Sequence, residues 1–298
     1  MKSIRLFPLL VIVFFSHSSS CQIIEKNQAT LNKKKFTISI TSLALVTGGL
    51  YYYVNNSWWS DESIDFHFDQ GPDLTYAMNV DKAAHFFGGL VTTDMFSRTM
   101  IWSGIQEDKA YLYGSLFGSA LQLGIEIKDG YAPYWGFSKV DLLTGVVGSF
   151  SPYLKQKYPT YNVVNFKIGY FKRSNHYWEL ENQRGKFPGP YDWHNDYVNQ
   201  TYWMALDIKR ISNQSWWPDF LDLAIGFGLD DSQFLNNQNR KSGGCNEWYL
   251  AIDYNLPKLL KNLDSPLAKE LKYWLNYIKF PAPTLRFSPT IEFYPFFM

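Results

Sequence analysis

Six ionisable residues stand where apolar segments begin or end, and their types are those that move protons or hold cations: Asp81, Lys82, His85, Glu126, Asp129 and Asp141. Asp81 and His85 lie four apart, so on a helix they share a face, and the carboxylate can orient the imidazole and raise its basicity. The plainer readings are an acidic residue favoured by a helix N-terminus and a core histidine beside Phe86 and Phe87. Glu126 and Asp129 close a later apolar segment. Held on one side of a helix end, they would repel unless a cation, Lys82 or a shared proton came between them. Carboxylates there also oppose the helix dipole, an unfavourable placement that points to function, whereas Gly130 points to a solvated turn. Ser138 fits a helix N-cap, with Asp141 three positions on as in a capping box, able to face the same cavity with Trp135 as a wall.

As a set, His85 serves as general base or metal ligand, Asp81 as its orienter, Glu126 and Asp129 as acid, base or ligands, and Lys82 as an anion contact. Such groups suit hydrolysis or group transfer on a phosphate-bearing lipid or cell-wall precursor. One histidine among carboxylates favours a hard or borderline divalent ion and gives a zinc site little support. No organic cofactor is expected, because neither a nucleotide-binding glycine motif nor a serine nucleophile elbow is present. The competing reading is a noncatalytic envelope scaffold or lipid-binding protein whose polar cluster is a buried network pinning helices together.

Helices must position these residues. Val80 to Met100, Ala110 to Ile127 and Val140 to Leu154 are apolar segments, and Gly114 and Gly118 supply small positions for close helix approach. Asp94 and Arg98 make the first of them a poor free-standing membrane span. Upstream, Phe36 to Val54 is almost uncharged and is followed by Trp58 and Trp59, which predicts either a membrane span with an aromatic belt or a buried helix. Residues 1–21 form an export signal, with Lys2 and Arg5 before the apolar stretch Leu6 to Phe15. Cys21 raises lipid attachment, although Ser18 stands where a bacterial lipobox carries Leu. A Cys21 to Cys245 disulfide is the only pairing two cysteines allow. Residues 22–35 read as a linker.

After Pro159 the pattern becomes period-two: Phe166, Ile168 and Tyr170; Tyr202, Met204 and Leu206; Trp248, Leu250, Ile252 and Tyr254. Asp230 to Gly244 reads as a long hairpin loop and Ser265 to Ile278 as an intruding helix. The predicted fold is therefore α+β: a helical, membrane-associated bundle over 36–158 and a strand-rich antiparallel region over 159–298. A twisted sheet against the helices is expected, with too few strands for a complete closed barrel. An outer-membrane pore is a third reading.

Twenty-eight basic against 27 acidic residues leave a net charge of +1, which excludes the electropositive field of a nucleic-acid binder. The 18% aromatic content suits membrane interfaces, lipid-facing strands or aromatic-lined clefts. The location expected is the cell envelope, on the periplasmic side of a membrane, with the outer membrane among the candidates.

The run Asp81-Lys82-x-x-His85, Glu126-Ile-Lys-Asp129-Gly130, Trp135-Gly-Phe-Ser138 and Asp141 resembles the YfiM-type family of periplasmic lipoproteins, a domain of unknown function, and more distantly VanZ-like membrane proteins. The stretches Asp196 to Trp203 and Glu247 to Leu250 are similar to longer members of that family. One departure stands out: the family often has Asn four residues after the last Asp, and Gly145 occupies that place, so an amide partner is missing. The resemblance implies location and architecture and carries no reaction.

Overall fold

The computed structural model describes residues 30–59, 61–188 and 192–298. The export signal, Cys21 with its lipid and disulfide expectations, and most of the linker lie outside the described residues; Cys245 is exposed. The chain is a helical N-terminal region followed by an antiparallel sheet, an α+β arrangement.

Among the described residues four long helices come first: α1 (Lys33–Ser57), α2 (Val80–Trp102), α3 (Glu107–Asp129) and α4 (Lys139–Lys157). Helix α1 takes in the last three residues of the expected linker, because the Asn32 side chain accepts from the Lys35 N–H and caps it. Its first half docks on α2, where Ser39 Oγ donates to the Thr99 carbonyl at 3.1 Å and Leu43 packs with Met100 and Ala110. The rest carries exposed Leu45, Leu50, Tyr51 and Tyr52. Among the described residues it is the one helix long and apolar enough to cross a membrane.

Helices α2, α3 and α4 pack tightly through small residues. A Cβ on Gly148 would stand 1.9 Å from the Phe86 carbonyl oxygen, and one on Gly114 would stand 2.1 Å from Ser97 Oγ. Only hydrogen at these positions lets the backbones come so close, which brings residues from all three helices to one end of the bundle.

The strand-rich half contains β1 (Val164–Tyr170), α5 (His176–Gln183), β2 (Gln200–Leu206), α6 (Ile208–Ser212), β3 (Leu221–Leu229), β4 (Gln233–Leu235), β5 (Lys241–Gly243), β6 (Asn246–Tyr254), α7 (Leu256–Leu259), α8 (Pro266–Leu275), β7 (Ala282–Ser288) and β8 (Glu292–Phe297). Six strands pair antiparallel in the order β1-β2-β3-β6-β7-β8, while β4 and β5 form a separate hairpin inside the long 230–244 loop.

Strand alternation is legible in the sequence, yet its polarity is the reverse of an ordinary soluble sheet. One face holds buried Lys167 and Asp253 beside an apolar cluster of Trp203, Ala205, Ala224, Tyr249 and Ala251, with Asp253 paired to Lys167 at 2.5 Å and to Lys279 at 3.5 Å. The opposite face presents the apolar alternates Met204, Ile225, Trp248, Leu250 and Leu285, all exposed. Helix α2 covers part of that apolar face, with Phe86 against Phe166 at 4.7 Å and Phe87 against Tyr202 at 6.1 Å. Helix α8 and the turn after it are tied to α2 as well: the Tyr273 and Tyr277 hydroxyls donate to buried Asp94 at 2.7 and 2.8 Å.

Candidate functional site

The segment leading into α2 is held in an unusual backbone conformation. Ala77, Met78 and Asn79 have positive φ values of 45°, 50° and 67°. Three consecutive non-glycine residues in the left-handed region cost about 1–3 kcal/mol each, so the surroundings must hold them. Buried Ala77 packs with Val80, Val198 and Leu229, and Asn246 Nδ2 donates to the Met78 carbonyl at 2.7 Å. The C-terminal half thus fixes the start of α2, where Asp81, Lys82 and His85 sit.

Lys82 Nζ occupies a cage of three carboxylates: Asp73 at 2.6 Å, Asp81 at 2.8 Å and Asp141 at 3.0 Å. It also donates to the Asp73 carbonyl at 3.0 Å. Asp81 therefore pairs with Lys82 and not with His85, which corrects its expected role as the imidazole's orienter. The adjacent lysine offers a full charge at hydrogen-bond distance.

His85 is oriented instead by Gln122 of α3, whose Oε1 lies 3.0 Å from Nδ1. An amide oxygen accepts, so Nδ1 carries the proton and the lone pair falls on Nε2. Nε2 stands 4.0 Å from Asp141 Oδ2, and Nδ1 stands 3.7 Å from Glu126 Oε1. Gln122 also supplies the amide that Gly145 seemed to remove. A Cβ on Gly145 would fall 2.6 Å from Gln122 Oε1, so the glycine makes room for an amide arriving from the neighbouring helix.

Ser138 gathers the remaining carboxylates. Its Oγ accepts from the Asp141 N–H at 3.1 Å, the cap predicted from spacing, and donates to Asp73 Oδ2 at 2.6 Å. The return half of the expected capping box is absent, because Asp141 turns to Lys82 and Glu126 Oε2 accepts the Ser138 N–H at 2.9 Å. The other Glu126 oxygen is buried without a hydrogen-bond donor. Asp129 Oδ1 accepts from Trp59 Nε1 at 2.7 Å, so it is neither a bare solvated turn residue nor joined directly to Glu126.

Six of these acidic and basic groups, Asp73, Asp81, His85, Glu126, Asp129 and Asp141, line one cavity of about 290 Å³. Trp58, Tyr76, Trp135 and Tyr197 wall it, and Arg240 and Lys241 of the β4–β5 hairpin stand at its margin. Lys241 is paired with Glu181 at 2.9 Å, and Arg240 donates to the Tyr134 carbonyl at 2.7 Å.

One ammonium cannot balance five carboxylates, and the proton affinities reflect it. Burial, with Asp129 and Asp141 adding negative charge, pushes Glu126 up to about 9. Burial raises Asp129 to about 7 against the opposing Trp59 hydrogen bond. Asp81 rises to about 8 because burial outweighs its attraction to Lys82. Burial likewise raises Asp141 despite His85 and Lys82. Only Asp73 lies below the usual carboxylate range: burial is outweighed there by hydrogen bonds to Asp141, Lys82 and Ser138.

All six residues expected from the sequence come together around this cavity, Lys82 from behind its carboxylate cage. Asp73 and Gln122 were not expected. Gln122 precedes Glu126 by four residues on the same helix and so shares its face, a signal present in the spacing. Asp73 follows Gly71-Pro72 in a short 3-10 turn (Pro72–Leu74), and nothing local points it at α2.

No curated protein and no solved structure matches the chain. Residues 69–157, which contain every member of the cluster, match a family model described as a predicted periplasmic lipoprotein (DUF2279), and that description supports an exported, cell-envelope location for the protein.

Proposed function

We propose that the cavity is a ligand-binding and reaction site of an envelope protein, acting on a phosphate-bearing lipid or cell-wall precursor. The observation that carries this reading is the convergence of His85, Glu126 and Asp141 on a cavity open to ligand, with one buried Glu126 oxygen left without a donor. His85, with Nδ1–H held by Gln122, has Nε2 to serve as general base or as a metal ligand, and Glu126, whose carboxyl holds its proton to about 9, is the general acid until a cation displaces that proton. Aromatic walls provide apolar contact for a lipid or ring, and Arg240 faces an anionic group entering at the margin. The exposed apolar side of α1 supports a membrane-associated position. The outer membrane is part of the same proposal.

A second reading is favoured for half of the cluster. The Lys82 cage joins the 3-10 turn at Asp73 to α2 and α4 with every contact short, which is the geometry of a structural clasp. Lys82 and Asp81 on this view hold the site together and take no part in chemistry.

The test is turnover of a polyprenyl-phosphate precursor carrying labelled phosphate by detergent-purified protein. Release or transfer of the label, lost in His85→Gln, supports the reading. No binding and no turnover across phosphorylated envelope precursors would remove the substrate class.

A further inference from the structure

We infer that one ring nitrogen of His85, the donor-free oxygen of Glu126 and a carboxylate oxygen of Asp141 form a divalent-cation site. The three atoms lie within 4.8 Å of one another. Ligand atoms around a small ion bound at about 2.1 Å stand about 3.0–3.4 Å apart, so side-chain rotation alone closes the set. Glu126 supplies the independent pointer: the residue is 1% exposed, lines the cavity, and has one oxygen that no donor reaches.

A second triad, Asp73, Asp81 and Asp141, has similar spacing but is already filled by the Lys82 ammonium. The protein has thus placed its own cation, the Lys82 ammonium, in one of the two triads. Asp141 belongs to both, so Lys82 fixes it while an oxygen stays within reach of the imidazole at 4.0 Å. Gln122 orients the ring by holding Nδ1–H, the outer contact of a histidine that coordinates through Nε2, the nitrogen 4.0 Å from Asp141; Glu126 Oε1, now 3.7 Å from Nδ1, has to turn toward that side to join the set.

This deepens the reading of the cavity and rests on it, because a phosphate is repelled by the carboxylates unless a cation lies between. One imidazole and two carboxylates suit Mn²⁺, Mg²⁺ or Zn²⁺, with water or substrate oxygens completing the shell. Ca²⁺ prefers six to eight oxygen donors and fits less well.

The experiment is titration of the chelator-stripped full chain in detergent with Mn²⁺, followed by equilibrium dialysis and thermal melting. Saturable binding of one ion per chain with a raised Tm is expected, with affinity at least tenfold weaker in Glu126→Gln and in His85→Gln. Circular dichroism establishes that each variant is folded, and His85→Gln decides if Glu126→Gln is not. Absence of saturable binding of Mn²⁺, Mg²⁺ and Zn²⁺, or equal binding by wild type and both variants, overturns the site. Turnover of the labelled precursor in excess chelator would overturn the cation while leaving the cavity reading intact; saturable Mn²⁺ binding without turnover of any precursor would do the reverse.

Discussion

Gln122 occupies the space that a side chain at position 145 would need, its Oε1 2.6 Å from where a Gly145 Cβ would be. The relationship joins α3 to α4 and sets the tautomer of His85 on α2, so one missing methyl group governs three helices. Gly145→Ala is expected to displace Gln122 and destabilise the protein by about 1–3 kcal/mol, the usual cost of overpacking. Gly145→Asn combined with Gln122→Gly returns an amide from the opposite helix and should recover part of that loss. Thermal melting of the two variants checks it; a wild-type Tm for Gly145→Ala would show that the amide is not confined there.

Lys82→Met tests the clasp. Removing the ammonium leaves Asp73, Asp81 and Asp141 facing one another in a buried space, and loss of one partner of a buried ion pair costs about 3–5 kcal/mol. Asp81→Asn should cost less, since two carboxylates remain for Lys82. Urea denaturation of both variants gives the order, and equal stability of Lys82→Met and wild type would contradict the clasp.

Stability should fall as pH rises. Glu126 and Asp129 have ordinary values of 4.5 and 3.8 when unfolded and are held at about 9 and about 7 when folded. Between those limits the native state binds more protons than the unfolded state, so their contribution is fully present below about pH 4. It is lost as pH passes about 7 for Asp129 and about 9 for Glu126. Melting of chelator-stripped protein should show Tm dropping from pH 5 to 9, with a shallower slope in Glu126→Gln. A Tm rising across that interval would mean that these carboxylates are ionised and compensated.

The helices were legible from their apolar runs, and two of their ends from a cap or stop signal: Ser138 caps α4 as its spacing predicts, and Gly130 follows α3. The strands were legible from period two, but not the side they bury. Alternation looks the same whichever face is inward, and only the burial of Lys167, Asp253 and Glu247 reveals which face it is. At the site, the six residues read from the sequence do converge, the helix ends having been placed to within three residues. The pairing within the cluster was not legible. Asp81 and His85 share a helical spacing, yet which neighbour each side chain meets depends on Lys82 and on Gln122 arriving from another helix. Asp73 lay beyond reach for the same reason, its partners being 9 to 68 positions away along the chain.

The most direct test of a reactive His85 is replacement by Gln in the native host, with the envelope phenotype and the Tm of the purified protein measured together. Gln keeps a polar side chain next to Gln122 but cannot shuttle a proton at Nε2. The account predicts a phenotype equal to that of a strain lacking the protein, at wild-type abundance and with Tm within about 2 °C, a shift of about 1 kcal/mol for a chain of this size. Full function in His85→Gln, or loss of function accompanied by collapse of the melting temperature, would contradict it.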